Sequence, residues 1–317
     1  MNKSIVLLFL FLSFSFSIQA SNSVNSCVTK GLNIDSVRMI MKNEPENTYS
    51  KGEKGSRLNV KDKFYKQLHK ECFQTATISE LLQTLSHDEF QYITSILYKV
   101  AFYTKDQSAV ENYKHLVSYK VGKGDWADVN IKRLFGLYMS ARAFDLAKKL
   151  KIEYPNVSLP SLPEVKELGN GDKRNMYALT GDKPELVEVA ADIPKKGGHI
   201  VVVSNTMCGF SQRFVSWLNK QENLNSVFAE NSTWISPQSI GLYLGETQQR
   251  NALYPELPLN YVKNEQDWPE ISYWGTPAFY FYLDGKLVSN MFGWPEGGRI
   301  EQLIERLQSI QLISKPT

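Results

Sequence analysis

The chain is poor in cysteine and histidine, with three and four copies respectively in 317 residues. This is far too little cysteine for a disulfide-dense secreted domain. The one close pair, His69 and Cys72, finds no second pair that would complete a metal site. The net charge of +3 is too small to indicate nucleic acid as a partner. The composition therefore argues against a disulfide-dense domain, a metal-binding protein and a nucleic-acid-binding protein. No bound metal is expected.

Long apolar runs are also scarce. The run near the start, Ile5–Ile18, has about 14 residues, against about 20 for a membrane-spanning helix. One cation, Lys3, precedes it, and a polar stretch beginning at Gln19 follows it. This arrangement is typical of a secretory signal peptide, here residues 1–20 with cleavage near Ala20. The sequence thus predicts an exported protein, periplasmic or secreted, that does not span the membrane.

The remaining composition is that of a globular protein, with 42% hydrophobic and 22% charged residues in a length that suits two domains. Residues 21–165 are predicted to form an all-α helical domain. Apolar residues at helical spacing and a cap-like Ser86-His87-Asp88-Glu89 mark its helices, and further helices are expected over 110–118 and 129–150. The pattern resembles a tetratricopeptide-type helical repeat without a clean period, and an irregular bundle is the alternative.

Residues 166–317 follow a boundary rich in proline and glycine, and their pattern is that of an α/β domain. The run 199–204 is nearly all β-branched, as in a strand buried on both faces, and a helix is expected over 209–220. An Asp284-Gly285 turn joins the predicted strands 278–283 and 286–289. A strand at 186–189 and an amphipathic helix over 298–312 complete the pattern. We expect a mixed central sheet flanked by helices.

Two motifs mark the chemistry of this second domain. Cys208 follows the buried strand and begins the helix, where unpaired backbone N–H groups and the helix dipole favour a thiolate. Ser211 lies one turn further on, where its hydroxyl can donate a hydrogen bond to the thiolate but cannot form a disulfide with it. The second motif, Gly275-Thr276-Pro277, directly precedes strand 278–283. The first motif predicts a cysteine suited to thiol–disulfide exchange.

Taken in this order and on these elements, the motifs resemble the thioredoxin-like superfamily over residues 186–312. Cys208-Gly209-Phe210-Ser211 stands where that family has Cys-x-x-Cys, with serine in place of the second cysteine. Thr276-Pro277 stands where the family has threonine and a cis-proline. The resemblance implies an α/β thioredoxin-like fold in which Cys208 and Ser211 are catalytic, while Thr276 and Pro277 bind the substrate backbone. It also implies an aromatic-rich insertion at about 224–273.

The Cys-Gly-Phe-Ser motif is also that of the monothiol glutaredoxins, which use glutathione. The lysine that those proteins carry on the strand before the motif is missing from residues 201–205. No resident cofactor is expected, and glutathione is a candidate thiol. The implied function is an exported single-cysteine thiol–disulfide oxidoreductase or isomerase that forms mixed disulfides with proteins through Cys208. The alternative is a non-catalytic binding or assembly module for a partner protein.

One charged segment stands apart from these motifs. Seven cations fall between Lys51 and Lys70, with only Glu53 and Asp62 among them. A solvated loop and helix face explains such a stretch, and an acidic partner or an anionic surface is the alternative.

The other two cysteines, Cys27 and Cys72, both fall in the helical domain, 45 positions apart. In an exported protein the economical interpretation is one structural disulfide between them. The chain-entropy relation gives about 4 kcal/mol for a loop of that size, before any native strain is subtracted. The alternative is that Cys27 or Cys72 resolves a mixed disulfide on Cys208.

The disulfide gives the first testable prediction. Non-reducing peptide mapping of the mature protein should recover one cross-linked peptide pair that joins Cys27 to Cys72, with Cys208 alkylated. Free thiols at both positions 27 and 72 would contradict this account of the helical domain.

Overall fold

The computed structural model describes residues 33–46, 49–51, 57–73, 78–124, 128–169, 174–181 and 183–314. The predicted signal peptide and Cys27 lie outside these residues, so their roles stay predictions. Among the described residues, no helix is long and apolar enough to cross a membrane.

The first part of the described chain is mostly helical. Its helices are α1 (Ile34–Met41), α2 (Val60–Leu68), α3 (Ile78–Thr84), α4 (His87–Thr104), α5 (Gln107–Gly122), α6 (Asp128–Ser140) and α7 (Phe144–Glu153). A π-helical turn, His69–Phe73, continues α2 and contains the buried Cys72. The strands β1 (Tyr49–Lys51) and β2 (Arg57–Asn59) form an antiparallel ribbon before α2. The expectation of an all-α domain is therefore wrong in this detail, because three-residue strands are too short to show a period.

The ends of two helices show where the sequence signals were clear and where they were hidden. The expected cap is present at α4, where the Ser86 side chain accepts from the Glu89 N–H and the Glu89 carboxylate accepts from the Ser86 N–H. The expected helix over 129–150 is instead two helices. Arg142 takes a left-handed backbone conformation with φ of 57°, and the Ala143 N–H donates to the Tyr138 carbonyl at 2.9 Å, which closes α6. No glycine or proline marks this break.

The second part of the chain builds one eight-stranded sheet. Its strands are β3 (Glu164–Lys166), β4 (Asn175–Thr180), β5 (Glu185–Ala190), β6 (Gly198–Val203), β7 (Ser232–Ser236), β8 (Leu259–Val262), β9 (Ala278–Leu283) and β10 (Lys286–Phe292). The order across the sheet is β10-β9-β6-β7-β8-β4-β5-β3. Strands β6, β7 and β8 run parallel, whereas β9 pairs antiparallel with both β6 and β10. The sheet is therefore mixed, as the sequence predicted.

Helices cover this sheet: α8 (Gly209–Leu218), α9 (Glu222–Asn231), α10 (Leu244–Leu253) and α11 (Ile300–Ser309). The unit β6-α8-β7 followed by the β9–β10 hairpin and α11 has the strand order β10-β9-β6-β7, which is consistent with a thioredoxin-like fold. Four further strands extend the sheet beyond β7. The hairpin turn is the expected one, because Asp284 and Gly285 have φ of 51° and 74°.

The segment expected to be an insertion, about 224–273, is partly integral to the sheet. It supplies β7, which pairs with β6 over residues 232–235, and β8, which pairs with β7. It also supplies α10. The strand was missed because Ser232 and Thr233 dilute the short apolar run of Trp234 and Ile235.

Alternate residues of β6 face two separate apolar cores. Ile200 and Val202 pack with Phe214 of α8 and Leu303 of α11 on one face. Val201 and Val203 pack with Trp268 on the other face. The last five residues of β6 are all buried, which explains its continuous apolar run.

The helical part contacts the carboxyl end of β8. Arg142 Nε donates to the Val262 carbonyl at 3.1 Å, and its Nη1 donates to the Met139 carbonyl at 2.9 Å. These bonds offset the roughly 1–2 kcal/mol cost of the left-handed backbone at Arg142. Close by, Lys105 and Glu265 form an ion pair whose side chains are each 11% exposed. The side chains of Arg142 and Lys105 thus attach the helical part to the carboxyl end of β8 and the residues that follow it.

The core on the α8 side gives a prediction about stability. Leu303 is fully buried in α11, whereas Ile300 on the same helix is 45% exposed. We expect Leu303→Ala to lower the free energy of unfolding by about 2–5 kcal/mol, because it leaves a cavity under α8. Ile300→Ala is the matched control and should change it by less than about 0.5 kcal/mol. Urea unfolding followed by circular dichroism measures both, and equal midpoints for the two variants would contradict this packing.

Candidate thiol site

The thiol site lies where β6 ends and α8 begins. Cys208 is the N-cap residue of α8, with extended backbone (φ −89°, ψ 115°), and its own side chain caps no backbone N–H. The Sγ atom is therefore available, beside the unpaired N–H groups of the first helical turn. The expected cysteine at a helix N-terminus is thus located on the predicted elements.

The loop that carries Cys208 is held by local hydrogen bonds. Asn205 Oδ1 accepts from the Met207 N–H at 2.9 Å, and the Asn205 carbonyl accepts from the Cys208 N–H at 3.1 Å. Gln212, one turn into α8, donates from Nε2 to the Thr206 carbonyl at 2.6 Å. Asn205 and Gln212 are positioning residues that the sequence reasoning missed. The signal that could have identified Asn205 is its position just after a strand, because asparagine favours turns there.

The loop before β9 meets the thiol from the other side. The Thr276–Pro277 peptide bond is cis, and Cys208 Sγ lies 3.2 Å from the Thr276 carbonyl oxygen, to which the thiol donates. The Gly293 N–H donates to the Pro277 carbonyl at 2.8 Å and fixes the loop to the end of β10. A Cβ atom at Gly275 would lie 2.1 Å from the Tyr273 hydroxyl, so a glycine fits there without displacing that ring.

Ser211 completes the group of four predicted residues at this site. Its side chain is 3% exposed, and its Oγ accepts from the Asn205 N–H at 3.5 Å. Because that lone pair is occupied, the hydroxyl proton is free to point toward the sulfur. The structure therefore brings Cys208, Ser211, Thr276 and Pro277 together. Cys72 lies elsewhere, 4% exposed within the apolar core of the helical part.

Two opposing effects set the pKa of the Cys208 thiol. Burial raises it, because a thiolate is poorly solvated in a partly buried position. The Thr276 and Ser211 side chains and the Ser211 and Phe210 N–H groups lower it, because they can donate hydrogen bonds to the thiolate. The donors outweigh burial, and the pKa of Cys208 lies below its ordinary value.

The surroundings of the thiol are open and mixed in character. Met207 and Phe210, on either side of Cys208 in the sequence, are 54% and 50% exposed. The Arg213 guanidinium lies over the Phe210 ring, 4.6 Å from its centroid. A cleft of about 380 Å³ separates the thiol loop from α10, with Ser211 and Gln212 on one wall and Arg250 on the other. Cys208, itself partly exposed, thus has exposed apolar side chains on both sides in the sequence.

No set of three or more metal-binding side chains clusters among the residues that the structure describes. His69 instead lies 3.3 Å from Ser108 Oγ through its Nε2, and burial lowers its pKa. The tyrosines and tryptophans of segment 224–273 are divided between the core and the surface: Trp234 and Trp268 are buried, and Tyr243 is 39% exposed.

Comparisons with known proteins add little to this geometry. No protein-family model and no curated protein matches the chain. The crystal structure of a thioredoxin-like protein from Bacteroides caccae aligns with 79% of this chain and 94% of its own, at 11% identity and a TM-score of 0.31. At that TM-score the likeness carries no weight by itself, and the strand order and the cis-proline beside Cys208 carry the similarity to the thioredoxin-like fold.

Proposed function

We propose that the protein is an exported single-cysteine thiol–disulfide oxidoreductase or isomerase that forms mixed disulfides with other proteins through Cys208. One observation carries the proposal: a partly exposed thiol at a helix N-terminus, with a lowered pKa, lies 3.2 Å from the residue before a cis-proline. Such a thiol has the thiolate character that exchange requires.

The proposed reaction is disulfide exchange without net oxidation. The Cys208 thiolate attacks one sulfur of a partner disulfide, the Cys208–partner S–S bond forms, the original S–S bond breaks, and the second partner sulfur leaves as a thiolate. An external thiolate then attacks the mixed disulfide at the partner sulfur, which releases Cys208 as a thiolate and leaves the external thiol bonded to the partner. When a second thiolate of the partner makes this attack, the result is isomerisation.

The neighbouring residues have separate roles in this scheme. Ser211 and the first-turn N–H groups stabilise the thiolate as nucleophile and as leaving group. Thr276 and Pro277 offer backbone for the substrate chain to pair with. Ser211 cannot attack a mixed disulfide as a second cysteine would, so release depends on the partner or on a small thiol, for which glutathione is a candidate.

A binding or assembly module without chemistry is the second candidate function. The exposed Met207 and Phe210 favour it, because apolar side chains beside the thiol serve partner binding whether or not a bond forms. Cys208→Ala separates the two functions. Loss of a phenotype or of partner capture with this variant supports the redox function, and full retention supports the module.

The thiol pKa can be tested by alkylation. The rate of Cys208 alkylation by iodoacetamide, followed by mass spectrometry of its peptide over pH 5–10, should give an apparent pKa below the free-thiol value of about 8.5. Ser211→Ala should raise the pKa, because a donor to the thiolate is lost. If that hydrogen bond is worth about 1 kcal/mol, alkylation slows by about threefold at the apparent pKa of the unmodified protein and by about fivefold well below it.

Ser216→Ala is the matched control, because Ser216 is exposed on the same helix and makes no contact with the thiol. An apparent pKa at or above 8.5 in the unmodified protein would rule out the thiolate that the proposal needs.

The pKa of Cys208 is lowered on folding, so its thiolate stabilises the protein above the unfolded pKa. This contribution is lost as the pH falls through the folded pKa, and the Cys208→Ser variant should lack this part of the pH dependence.

Mixed disulfides supply a further prediction. Because no second cysteine stands at position 211, adducts on Cys208 should accumulate in cells quenched with acid and appear as higher bands on non-reducing gels. They should disappear on reduction and in Cys208→Ser, and persist in Cys72→Ser. Adducts that persist in Cys208→Ser would assign the reactive thiol elsewhere.

A further inference from the structure

A groove lies between the helical part and the sheet, and one of its lining residues, Trp274, is two residues before Thr276 of the thiol site. We call it the helix–loop groove and define it by Lys63 and Lys66 of α2, Lys105 after α4, and Glu265, Trp268 and Trp274 of the segment between β8 and β9. Its volume is about 260 Å³. That is slightly below the about 300 Å³ at which small-molecule pockets begin, and suits one or two side chains of a peptide.

The topology places the helix–loop groove and Cys208 at the same end of the sheet, where the parallel strands β6, β7 and β8 finish. Strands β6, β7 and β8 are parallel, so the residues that follow them, Cys208, Gln238 and Glu265, all lie beyond the carboxyl ends of the strands. In open α/β sheets this end is where ligands bind. The wall on the helical side consists of α2 and the end of α4, where Lys105 pairs with Glu265.

The groove also connects to the thiol along the chain. Trp274 lines it and is two residues before Thr276, whose carbonyl oxygen lies 3.2 Å from Cys208 Sγ. Two extended residues span at most about 7 Å. A polypeptide joined to Cys208 through its own cysteine therefore reaches the groove within a few residues.

The charges in the groove do not cancel. Glu265 is paired with Lys105, and it also accepts from the Ser239 N–H at 3.2 Å. Asp62 is paired with Lys66 at 2.8 Å. Lys63 is exposed, and its ammonium has no carboxylate within 4 Å among the described residues. One cation is therefore left over at the mouth of the groove.

A carboxylate on a bound partner would complement this positive charge. The basic stretch in the sequence thus places two of its members, Lys63 and Lys66, in the groove, and Lys63 is the one without a carboxylate partner among the described residues.

We propose that the helix–loop groove binds an acidic segment of the polypeptide whose cysteine reacts at Cys208, with Lys63 as the principal charge partner. This inference rests on the proposed function, because it names the class of protein substrate that the thiol would serve. An extended segment advances about 3.3 Å per residue, so acidic residues a few positions from the reacting cysteine are the ones that the proposal places in the groove.

The test uses two synthetic peptides that each carry one cysteine as its mixed disulfide with 2-mercaptoethanol. Two aspartates flank the cysteine on each side in one peptide, and two lysines on each side in the other. For each peptide we measure the rate at which Cys208 forms its adduct with the peptide. This rate is divided by the rate at which free 2-mercaptoethanol, as a reference thiol, attacks the same peptide disulfide. The ratio removes the intrinsic reactivity of each peptide. We expect the acidic peptide to react about three- to tenfold faster, and this preference to shrink in 0.5 M salt.

Lys63→Glu should remove or reverse the preference. Lys149→Glu is the matched control, because Lys149 is an exposed helical lysine outside the groove and its replacement changes the net charge equally. Equal rates for the two peptides, or equal effects of the two substitutions, would overturn the inference and leave the thiol chemistry intact.

If neither peptide reacts, the proposed function fails, and the groove is tested separately. Fluorescence anisotropy with Cys208→Ser protein and the same peptides carrying serine in place of cysteine then decides. Lys63-dependent binding of the acidic peptide supports the groove, and no binding overturns it. Lys63-dependent binding to phosphatidylglycerol vesicles without binding to the acidic peptide also overturns it, in favour of an anionic surface.

Discussion

The site depends on the pairing of β6 with both of its neighbours. Because β6 runs antiparallel to β9, the carboxyl end of one strand meets the amino end of the other, with Val203 opposite Ala278. Cys208 follows the first strand and Thr276 precedes the second, so the ladder brings together two residues that are 68 positions apart. The parallel pairing with β7 then places α8 on one face of the sheet, with the helix N-terminus at this end. The contact between Cys208 and Thr276 is thus a consequence of the register in which β6 pairs with β9.

The same end of the sheet explains why the thiol of Cys208 is partly buried and still has a lowered pKa. Burial would by itself raise the pKa of Cys208 and leave an inert thiol, as it does for cysteines in apolar cores. The N-terminus of α8 changes the balance, because it supplies N–H groups that no helical carbonyl can accept from. Ser211, whose Oγ accepts from the Asn205 N–H, adds a hydroxyl donor one turn further along α8. A thiolate at this position is therefore stabilised by groups that exist wherever a helix begins, and the sequence needs only a cysteine there and a short polar residue three positions on.

This explains which features were predictable from the sequence. The buried strand, the helix after Cys208, the Asp284-Gly285 turn and the Ser86 cap each have a signal within a few residues, and each is where it was expected. The β1–β2 ribbon and β7 lack such signals, because their strands are short or diluted by polar residues. The end of α6 was hidden for a different reason. Arg142 takes its left-handed conformation because its side chain bonds to Val262, 120 positions away, and nothing local announces that contact. The division of the chain at residue 165 stays a prediction.

In the proposed function, a single cysteine makes the choice of partner more important than it is for a two-cysteine site. Once a mixed disulfide forms on Cys208, no second cysteine at position 211 can expel the partner, so the lifetime of the adduct depends on the partner's own thiols and on thiols from outside. Selectivity must then operate before the bond forms, through surfaces next to the thiol. Met207 and Phe210 offer apolar contact on one side, and the helix–loop groove offers charge on the other. The helical part, attached to β8 through Arg142 and Lys105, is what gives the thiol site that second surface. In the proposed function, recognition of the partner by these surfaces would take the place of resolution by a second cysteine.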